Sequence, residues 1–247
     1  MSQTVERAVA IIERIADRPS SLGEVAELLG VHKSTALRLL QTLERAGFAR
    51  REPGGRYAIG PRLIGIAAKA LESLDVRETA RPHLIKLNQM YGHTVHLASY
   101  MDGEITYVDK YEGRWSVRMY SRIGKASALH ASGVGKAILA HMEPALLDAV
   151  ISRIEFTRYT ANTITSEHRL RAELARVRAQ GYARDHGEFE EIINCIAVGV
   201  HGADGTVRSA ISISVPTVAI SFAELERLVP DLTATARAVS YDLGWAA

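Results

Sequence analysis

The chain has 247 residues, 47% of them hydrophobic and 23% charged, a composition that gives a folded protein with a sizeable core and excludes a largely disordered chain. No apolar run approaches the 18 residues of a membrane-spanning helix, and the first thirty residues are rich in acidic side chains and lack a secretory pattern. The single cysteine, Cys195, has no partner for an intrachain disulfide, so we expect a cytoplasmic protein without membrane attachment.

The net charge of +2 conceals an uneven distribution. Residues 31–69 hold eight Lys and Arg against two acidic residues, a local charge of +6, which leaves −4 for the rest of the chain. A short basic segment in an otherwise acidic chain favours a nucleic-acid-binding module joined to a second functional unit. A basic surface that faces only solvent would give the same charge count.

The first fifty residues predict three short helices. Apolar residues at helical spacing indicate a helix over 4–17, and Ser21 with Glu24 forms a capping box for a second helix that ends at Gly30. The third helix is expected over 32–46, with leucines on its buried side. Two helices joined by a tight glycine-containing turn are typical of a helix-turn-helix, whose second helix lies in the DNA major groove.

The start of the third helix carries basic and hydroxyl side chains and no acidic ones. Such side chains can contact phosphates or base edges. The residues of this helix that we expect to contact DNA are His32, Lys33, Ser34, Thr35 and Arg38. A helical hairpin with a polar exposed face is the structural alternative, but it does not account for the missing acids.

A β-hairpin is predicted directly after this helix. Strand-like segments flank a Pro-Gly-Gly turn at 53–55 and carry Arg50, Arg51 and Arg56. A hairpin in this position is the wing of a winged helix-turn-helix, and we expect its arginines to follow the flanking phosphates or the minor groove.

Three regions follow from these patterns. We expect a winged helix-turn-helix domain over 1–60, an apolar linker helix over 61–74 and a second domain over 75–247. The apolar face of the linker helix needs a partner, which the second domain or another subunit would supply.

The second domain is predicted to be α+β, with a mainly antiparallel sheet and helices. Strands are expected over 94–100, 105–111 and 115–121 and on both sides of the Asp204-Gly205 turn. Helices are expected over 76–91, after Ser132, after Pro144, over 166–180 and over 221–243.

The Asp204-Gly205 turn predicts a strand register. With a two-residue turn, Cys195 lies opposite Ser214. Because side chains alternate along a strand, Cys195, Ser212 and Ser214 then share one face, while the other face is apolar. This predicts a small polar floor for a ligand, although serines of a half-exposed strand could simply face water.

The helix predicted after Ser132 begins with Gly133, Val134 and Gly135. Free N–H groups at a helix start and the helix dipole attract carboxylate or phosphate, and glycines allow a ligand to approach the backbone closely. A floor of hydroxyls that faces such a helix start would suit a small organic acid.

Three segments give the chain a resemblance over nearly its whole length to one known family. They are HKSTALRLLQTL at 32–43, LHASGVGKAILA at 129–140 and GYARDHGEFEEIINCIAVGVHGADGTVRSAISISVP at 181–216. The family that they resemble is the IclR family of bacterial transcriptional regulators. The resemblance implies a winged-helix domain followed by a GAF-like effector-binding domain, a repressor or activator that responds to a small metabolite, and assembly into dimers or dimers of dimers.

The resemblance also implies which residues line the effector pocket. By their match to the family pattern these are Gly133, Val134, Asp185, Cys195, Ser212 and Ser214, and Met119 and Ile193 are expected to supply apolar wall. The family usually has a proline where this chain has Val198, and the acidic run around Gly187 is diluted, so we expect a pocket of different shape. Residues 115–125 are similar to regulators of sugar-acid catabolism, and an aromatic acid is the alternative effector.

Two other classes of function compete with a regulator. An enzyme would use Cys195 as its nucleophile with a histidine as base, but no Cys–His motif is visible, and only a depressed pKa of the thiol would favour it. A metal sensor would use His93 and His96, which lie on opposite faces of a predicted strand, or Cys195 with Asp185 and a distant histidine.

We therefore predict a transcriptional regulator, not an enzyme, that needs no cofactor or metal. It is expected to repress a catabolic operon, to bind double-stranded operator DNA and a small organic-acid effector, and to form a homodimer or homotetramer.

Overall fold

The structure is a computed structural model that describes residues 3–66, 75–101, 103–115, 117 and 119–246. The chain divides into two compact units, Met1–Leu74 and Asp75–Ala247, and each is described by itself. Within the described residues, no helix is both long and apolar enough to cross a membrane.

The N-terminal unit consists of three helices followed by a two-stranded hairpin. The helices are α1 (Gln3–Asp17), α2 (Leu22–Leu29) and α3 (Lys33–Arg45), and the strands are β1 (Ala49–Arg51) and β2 (Tyr57–Ile59). The two strands pair antiparallel, and side chains such as Ile11, Ile15, Val25 and Leu40 form a common core. This order of elements confirms the predicted winged helix-turn-helix.

The ends of α2 follow the chemistry of the sequence. The Ser21 hydroxyl accepts from the Glu24 N–H, and the Glu24 carboxylate accepts from the Ser21 N–H, so the capping box is present. Gly30 ends the helix at φ +61°, a left-handed conformation that glycine adopts without strain. The sequence did not indicate that His32 caps α3, where its ring Nδ1 accepts from the Ser34 N–H at 3.3 Å.

The predicted linker helix is described only in part. Residues 61–66 are helical, and residues 67–74 lie outside the described residues. The domain boundaries at residues 60 and 74 stay predictions.

The C-terminal unit is a five-stranded antiparallel sheet with helices on both faces. In the order β4-β3-β7-β6-β5, its strands are β3 (Thr94–Met101), β4 (Glu104–Tyr111), β5 (Ala183–His186), β6 (Ile193–His201) and β7 (Val207–Pro216). The helices are α4 (Val76–Tyr91), α5 (Gly133–Leu139), α6 (Pro144–Ile151), α7 (Glu167–Gln180), α8 (Phe222–Glu226) and α9 (Val229–Asp242). Helices α4 and α9 cover one face, and α5 and α7 lie on the other. The predicted α+β class is confirmed.

The hairpin of β6 and β7 has the predicted register through a different turn. Cys195 pairs with Ser214, and Ala197 with Ser212, as expected. However, His201 pairs with Val207, and the Gly202 N–H donates to the Thr206 carbonyl at 2.9 Å, so the loop has three residues, 203–205, rather than two. A β-bulge next to His201 places one extra residue in β7. From Val200 onward the strands therefore have the predicted pairing again.

The sheet differs from the prediction in one expected strand and in one strand that was not predicted. Residues 115–121 form no strand in the part that the structure describes, because the free edge of β4 is met instead by residues 124–127. The sequence analysis also missed the short edge strand β5, which pairs Asp185 with Cys195. Its four residues are too few to show a clear alternation.

Candidate functional site

The expected DNA-contacting residues of α3 lie on its outer side. His32, Lys33, Ser34 and Arg38 are exposed, and Thr35 is half-buried. The opposite side of the helix packs into the core through Ala36, Leu40 and Leu43. The helix therefore presents its basic and hydroxyl side chains away from the core, as a helix that enters the major groove requires.

The three wing arginines differ in their surroundings. Arg50 and Arg51 are exposed, and the Arg50 guanidinium forms an ion pair with Glu52 at 2.8 Å. Arg56 instead reaches back to the start of α2. Its guanidinium donates to both oxygens of Glu24, at 2.8 and 3.0 Å, and to the Pro19 carbonyl at 2.9 Å. Arg56 thus fastens the wing to the rest of the unit.

One cavity in the C-terminal unit brings together all eight residues predicted to bind the effector. They are Met119, Gly133, Val134, Asp185, Ile193, Cys195, Ser212 and Ser214. The same cavity, called the inner cavity below, is also lined by six residues outside that set of eight: His96, Tyr107, Ser121, Ser132, Phe189 and Glu190. Its volume is about 30 Å³, room for about two water molecules.

The floor of the inner cavity is the face of the sheet predicted from the hairpin register. Asp185, Cys195 and Ser214 form one row across β5, β6 and β7. In the neighbouring row, Ser212 lies beside His96 of β3. The two serines are 1% and 5% exposed, so they face the cavity rather than water.

His96 lies at the centre of a hydrogen-bonded group of serines. Its Nε2 contacts the Ser121 hydroxyl at 2.8 Å, and its Nδ1 lies 3.3 Å from the Ser212 hydroxyl and 3.4 Å from that of Ser214. Burial, together with the nearby Lys110 ammonium, lowers the pKa of His96 to about 3. The imidazole is therefore neutral at physiological pH, and it can donate from one nitrogen and accept at the other.

Asp185 is the buried carboxyl group of the floor. Burial raises its pKa to about 7, against a smaller lowering by the Lys136 ammonium. One oxygen, Oδ1, accepts from the Glu188 N–H at 2.7 Å. At neutral pH the group is close to half protonated, so it can act as a donor or an acceptor toward a ligand.

A buried ion pair that was not predicted from the sequence lies next to Asp185. The Lys136 side chain on α5 is completely buried, and its ammonium contacts both oxygens of Glu188 at 2.5 and 2.6 Å. Burial raises the pKa of Glu188, and Lys136 opposes that rise. A lysine within the apolar helix pattern LHASGVGKAILA was the available signal, because buried lysines are rare unless they are paired.

Cys195 lies in an environment that suppresses thiol reactivity. Burial, with a smaller effect from the Asp185 charge, raises the pKa of the thiol to about 12. A nucleophilic cysteine requires the opposite shift. The sulfur also explains the glycine at the start of α5, because a Cβ on Gly133 would lie 2.9 Å from the Cys195 Sγ. Gly133 therefore lets the helix approach the sheet.

The start of α5 completes the inner cavity. The Ser132 hydroxyl accepts from the Gly135 N–H at 3.0 Å and is itself hydrogen-bonded to Ser127. Gly133 and Val134 line the cavity. The first N–H groups of a helix have no hydrogen-bond partner within the helix. Within the described part of the chain, no three or more His, Cys, Asp and Glu residues are grouped to hold a metal ion.

Comparison with known proteins agrees with this two-part structure. Residues 4–53 match the IclR helix-turn-helix domain, and residues 68–241 match the family described as bacterial transcriptional regulator IclR C-terminal. The chain belongs to the IclR family. As an IclR-family protein it is a DNA-binding transcriptional regulator, with a helix-turn-helix domain followed by an IclR C-terminal domain.

Individual relatives align with nearly the whole chain. It is 34% identical to the HTH-type transcriptional regulator XynR of Escherichia coli over 99% of this chain and 98% of XynR. It is 32% identical to the HTH-type transcriptional regulator KdgR of the same organism, over 98% of this chain and 93% of KdgR. The crystal structure of the repressor BlcR from Agrobacterium tumefaciens aligns with a TM-score of 0.79 at 27% identity, over 98% of this chain and 97% of BlcR.

Proposed function

We propose that this IclR-family regulator is a repressor of a catabolic operon whose DNA binding is controlled by a small organic acid in the inner cavity. The observation that carries the proposal is the convergence of all eight expected effector residues on one buried cavity. The similarity to BlcR, which is a repressor, supports the direction of regulation.

DNA binding is proposed to follow the geometry of the N-terminal unit. Two copies of α3 from a homodimer, or from each half of a homotetramer, read successive major grooves of a near-palindromic operator. Lys33 and Arg38 contact phosphates or guanine edges, and Arg50 and Arg51 of the wing follow the adjacent backbone. Arg56 supports this arrangement by holding the wing against Glu24.

Replacing Arg38 by alanine tests the proposed recognition helix. The operator is first selected from random DNA with the wild-type protein, and affinity is then measured by fluorescence anisotropy at two salt concentrations. We expect Arg38→Ala to weaken binding about tenfold or more, because a good contact to a base is worth about 1–3 kcal/mol. Arg208→Ala, an equal charge change at an exposed position of β7, serves as the control. Wild-type affinity and salt dependence in Arg38→Ala would refute the placement of the helix.

The chemistry of the inner cavity supports an oxygen-rich ligand. The hydroxyls of Ser212 and Ser214 and the neutral His96 can each donate or accept, and the N–H groups at the start of α5 can donate. Met119 and Ile193 give the apolar part of the wall. Because the cavity has a volume of only about 30 Å³, the proposal includes a movement of its wall when an organic acid binds. The effector then selects a conformation with a larger cavity and shifts the population toward it.

Effector binding is tested by a thermal-unfolding screen of organic acids, in which a ligand that binds the folded state raises Tm. Ser214→Phe is expected to abolish the increase while leaving operator affinity unchanged, because the ring fills the floor of the cavity. Ser152→Phe at the exposed end of α6 is the matched control. A full response in Ser214→Phe would place the effector elsewhere.

A further inference from the structure

Among the described residues that line the inner cavity, no lysine or arginine offers a positive charge to an anionic ligand. The titratable side chains of the cavity include Asp185 and Glu190, and His96 is neutral because its pKa is lowered to about 3. A carboxylate here would meet two carboxyl groups, whereas hydroxyl or oxo groups of a ligand would find hydrogen-bond partners.

A wider space, the outer cleft, lies on the other side of Met119 and Ser121, which line both spaces. The rest of its lining consists of Lys110, Glu112, Arg122 and Ile123. Its volume is about 360 Å³, against about 30 Å³ for the inner cavity. The outer cleft therefore supplies more room, and its Lys110 and Arg122 supply the positive charge that the described lining of the inner cavity does not.

Lys110 lines the outer cleft and lies next to His96, which lines the inner cavity. It pairs with His96 in the register of β3 and β4, so the two side chains stand side by side on the same face of the sheet. The Lys110 ammonium donates to the Ser121 carbonyl at 2.9 Å, and the Ser121 hydroxyl contacts the His96 Nε2 at 2.8 Å. Lys110 thus lies at one end of a hydrogen-bonded chain that leads into the inner cavity.

The present partner of Lys110 is one that a ligand can replace. The ammonium forms an ion pair with Glu112 at 2.9 Å, and the Glu112 side chain is 70% exposed whereas that of Lys110 is 9% exposed. An ion pair with so exposed a carboxylate is weak. An incoming carboxylate with a second contact to Arg122 can therefore displace Glu112.

On the basis of the proposed function, we propose that the outer cleft is the second half of the effector site. Lys110 and Arg122 bind the carboxylate of the effector, and its hydroxyl or oxo groups reach the inner cavity past Met119 and Ser121. The effector class is then a hydroxylated or keto carboxylic acid with its acid group at one end. An aromatic acid without hydroxyls fits less well, because it leaves the polar floor of the inner cavity unpaired.

The test compares an acid with its neutral amide. The probes are aldonic and uronic acids of four to six carbons that raise the Tm of the wild-type protein, their primary amides, and benzoate as the aromatic acid. Isothermal titration calorimetry gives the Kd of each. We expect Lys110→Gln to raise the Kd of the acid about tenfold or more, the usual effect of losing a charged hydrogen bond, and to change that of the amide less than about twofold.

Three further variants make the result specific. Arg122→Gln, at an exposed position, should show the same selective loss for the acid, and it carries the test if Lys110→Gln does not fold. Lys110→Arg keeps the charge and should retain acid binding. Lys86→Gln makes the same charge change on the exposed side of α4 and should alter neither Kd.

The possible outcomes separate the two proposals. Equal losses of acid and amide affinity in Lys110→Gln would show that Lys110 only supports the site. Unchanged acid binding in both Lys110→Gln and Arg122→Gln would show that neither side chain contacts the ligand. Either result, or tighter binding of benzoate than of any hydroxylated acid, overturns the outer cleft and leaves the proposed function standing. If no acid raises the Tm of the wild-type protein, the proposed function fails and the outer cleft with it.

Discussion

Replacing Asp185 by asparagine should make the free protein more stable at alkaline pH. The pKa of Asp185 is raised from 3.8 to about 7, mainly by burial, so the folded state holds this proton more tightly than the unfolded chain. The stabilising contribution of Asp185 is therefore fully present below pH 3.8 and is lost as the pH rises through about 7. Asparagine has nearly the same shape, can still accept from the Glu188 N–H and does not ionise.

The size of the effect follows from the shift. A difference of about three pKa units corresponds to about 4 kcal/mol of destabilisation once the carboxyl group is ionised in the folded state. Between pH 5 and pH 8 the change is about 3 kcal/mol, because part of the cost is already present at pH 5. Relative to the wild-type protein, the free energy of unfolding of Asp185→Asn should thus increase by about this amount over the interval.

The assay is urea unfolding of the full chain at pH 5, 6.5 and 8 and constant ionic strength. Both tryptophans, Trp115 and Trp245, belong to the C-terminal unit, so their fluorescence reports on the part that holds Asp185. The difference in free energy of unfolding between the variant and the wild-type protein at each pH cancels the contributions of the other titrating groups.

Asp204→Asn provides a control of opposite sign. Asp204 lies in the exposed loop of the hairpin, and hydrogen bonds from Thr206 lower its pKa. Its carboxylate therefore stabilises the protein above the unfolded pKa, and this variant should lose stability at pH 8 relative to wild type. An Asp185→Asn protein whose stability relative to wild type does not change between pH 5 and pH 8 would refute the assignment of the raised pKa.

Three more variants or reagents test other parts of the molecule. Glu24→Gln should weaken operator binding about two- to tenfold although it makes the DNA-binding unit more positive, because Arg56 loses its anchor; tighter binding would mean that charge matters more than wing position. Gly133→Ala should lower the free energy of unfolding by about 1–3 kcal/mol, since its Cβ would press on the Cys195 sulfur; an unchanged urea midpoint would contradict the close approach. Native Cys195 should resist iodoacetamide at pH 8 and react in urea, as followed by mass spectrometry, and rapid native alkylation would contradict its raised pKa.

The parts of the site that could be predicted from the sequence depend on local geometry. Cys195, Ser212 and Ser214 belong to one hairpin, so the strand alternation and a single turn were enough to place them on one face. The assumed turn was one residue too short, but the bulge at Val200 and His201 compensated for it. The register was thus correct partly because two local irregularities cancel, which no pattern in the strands reveals.

The parts that could not be predicted depend on contacts between distant segments. His96 lines the cavity because β3 pairs with β7, more than a hundred residues later in the chain. Tyr107 was considered only as apolar wall for an aromatic acid, and its position beside His96 depends on a bulge after Leu97 that resets the pairing of β4. Ser121 reaches the same cavity from a segment that was expected to be a strand. Propensity and alternation describe each strand alone, so they do not show which strands become neighbours.

The distribution of charge around the inner cavity explains how a polar site can be kept in the core of this domain. The groups on its floor are neutral or can become so: the serines, the imidazole of His96, the thiol of Cys195 and the carboxyl of Asp185. The fully buried ammonium of Lys136 on α5 is not among the residues that line the cavity, and it is held by both oxygens of Glu188. An unpaired ion in the same place would destabilise the fold by several kcal/mol. Under the proposal made above, recognition inside the cavity therefore depends on the geometry of neutral hydrogen bonds, and attraction of an anion comes from Lys110 and Arg122 of the outer cleft.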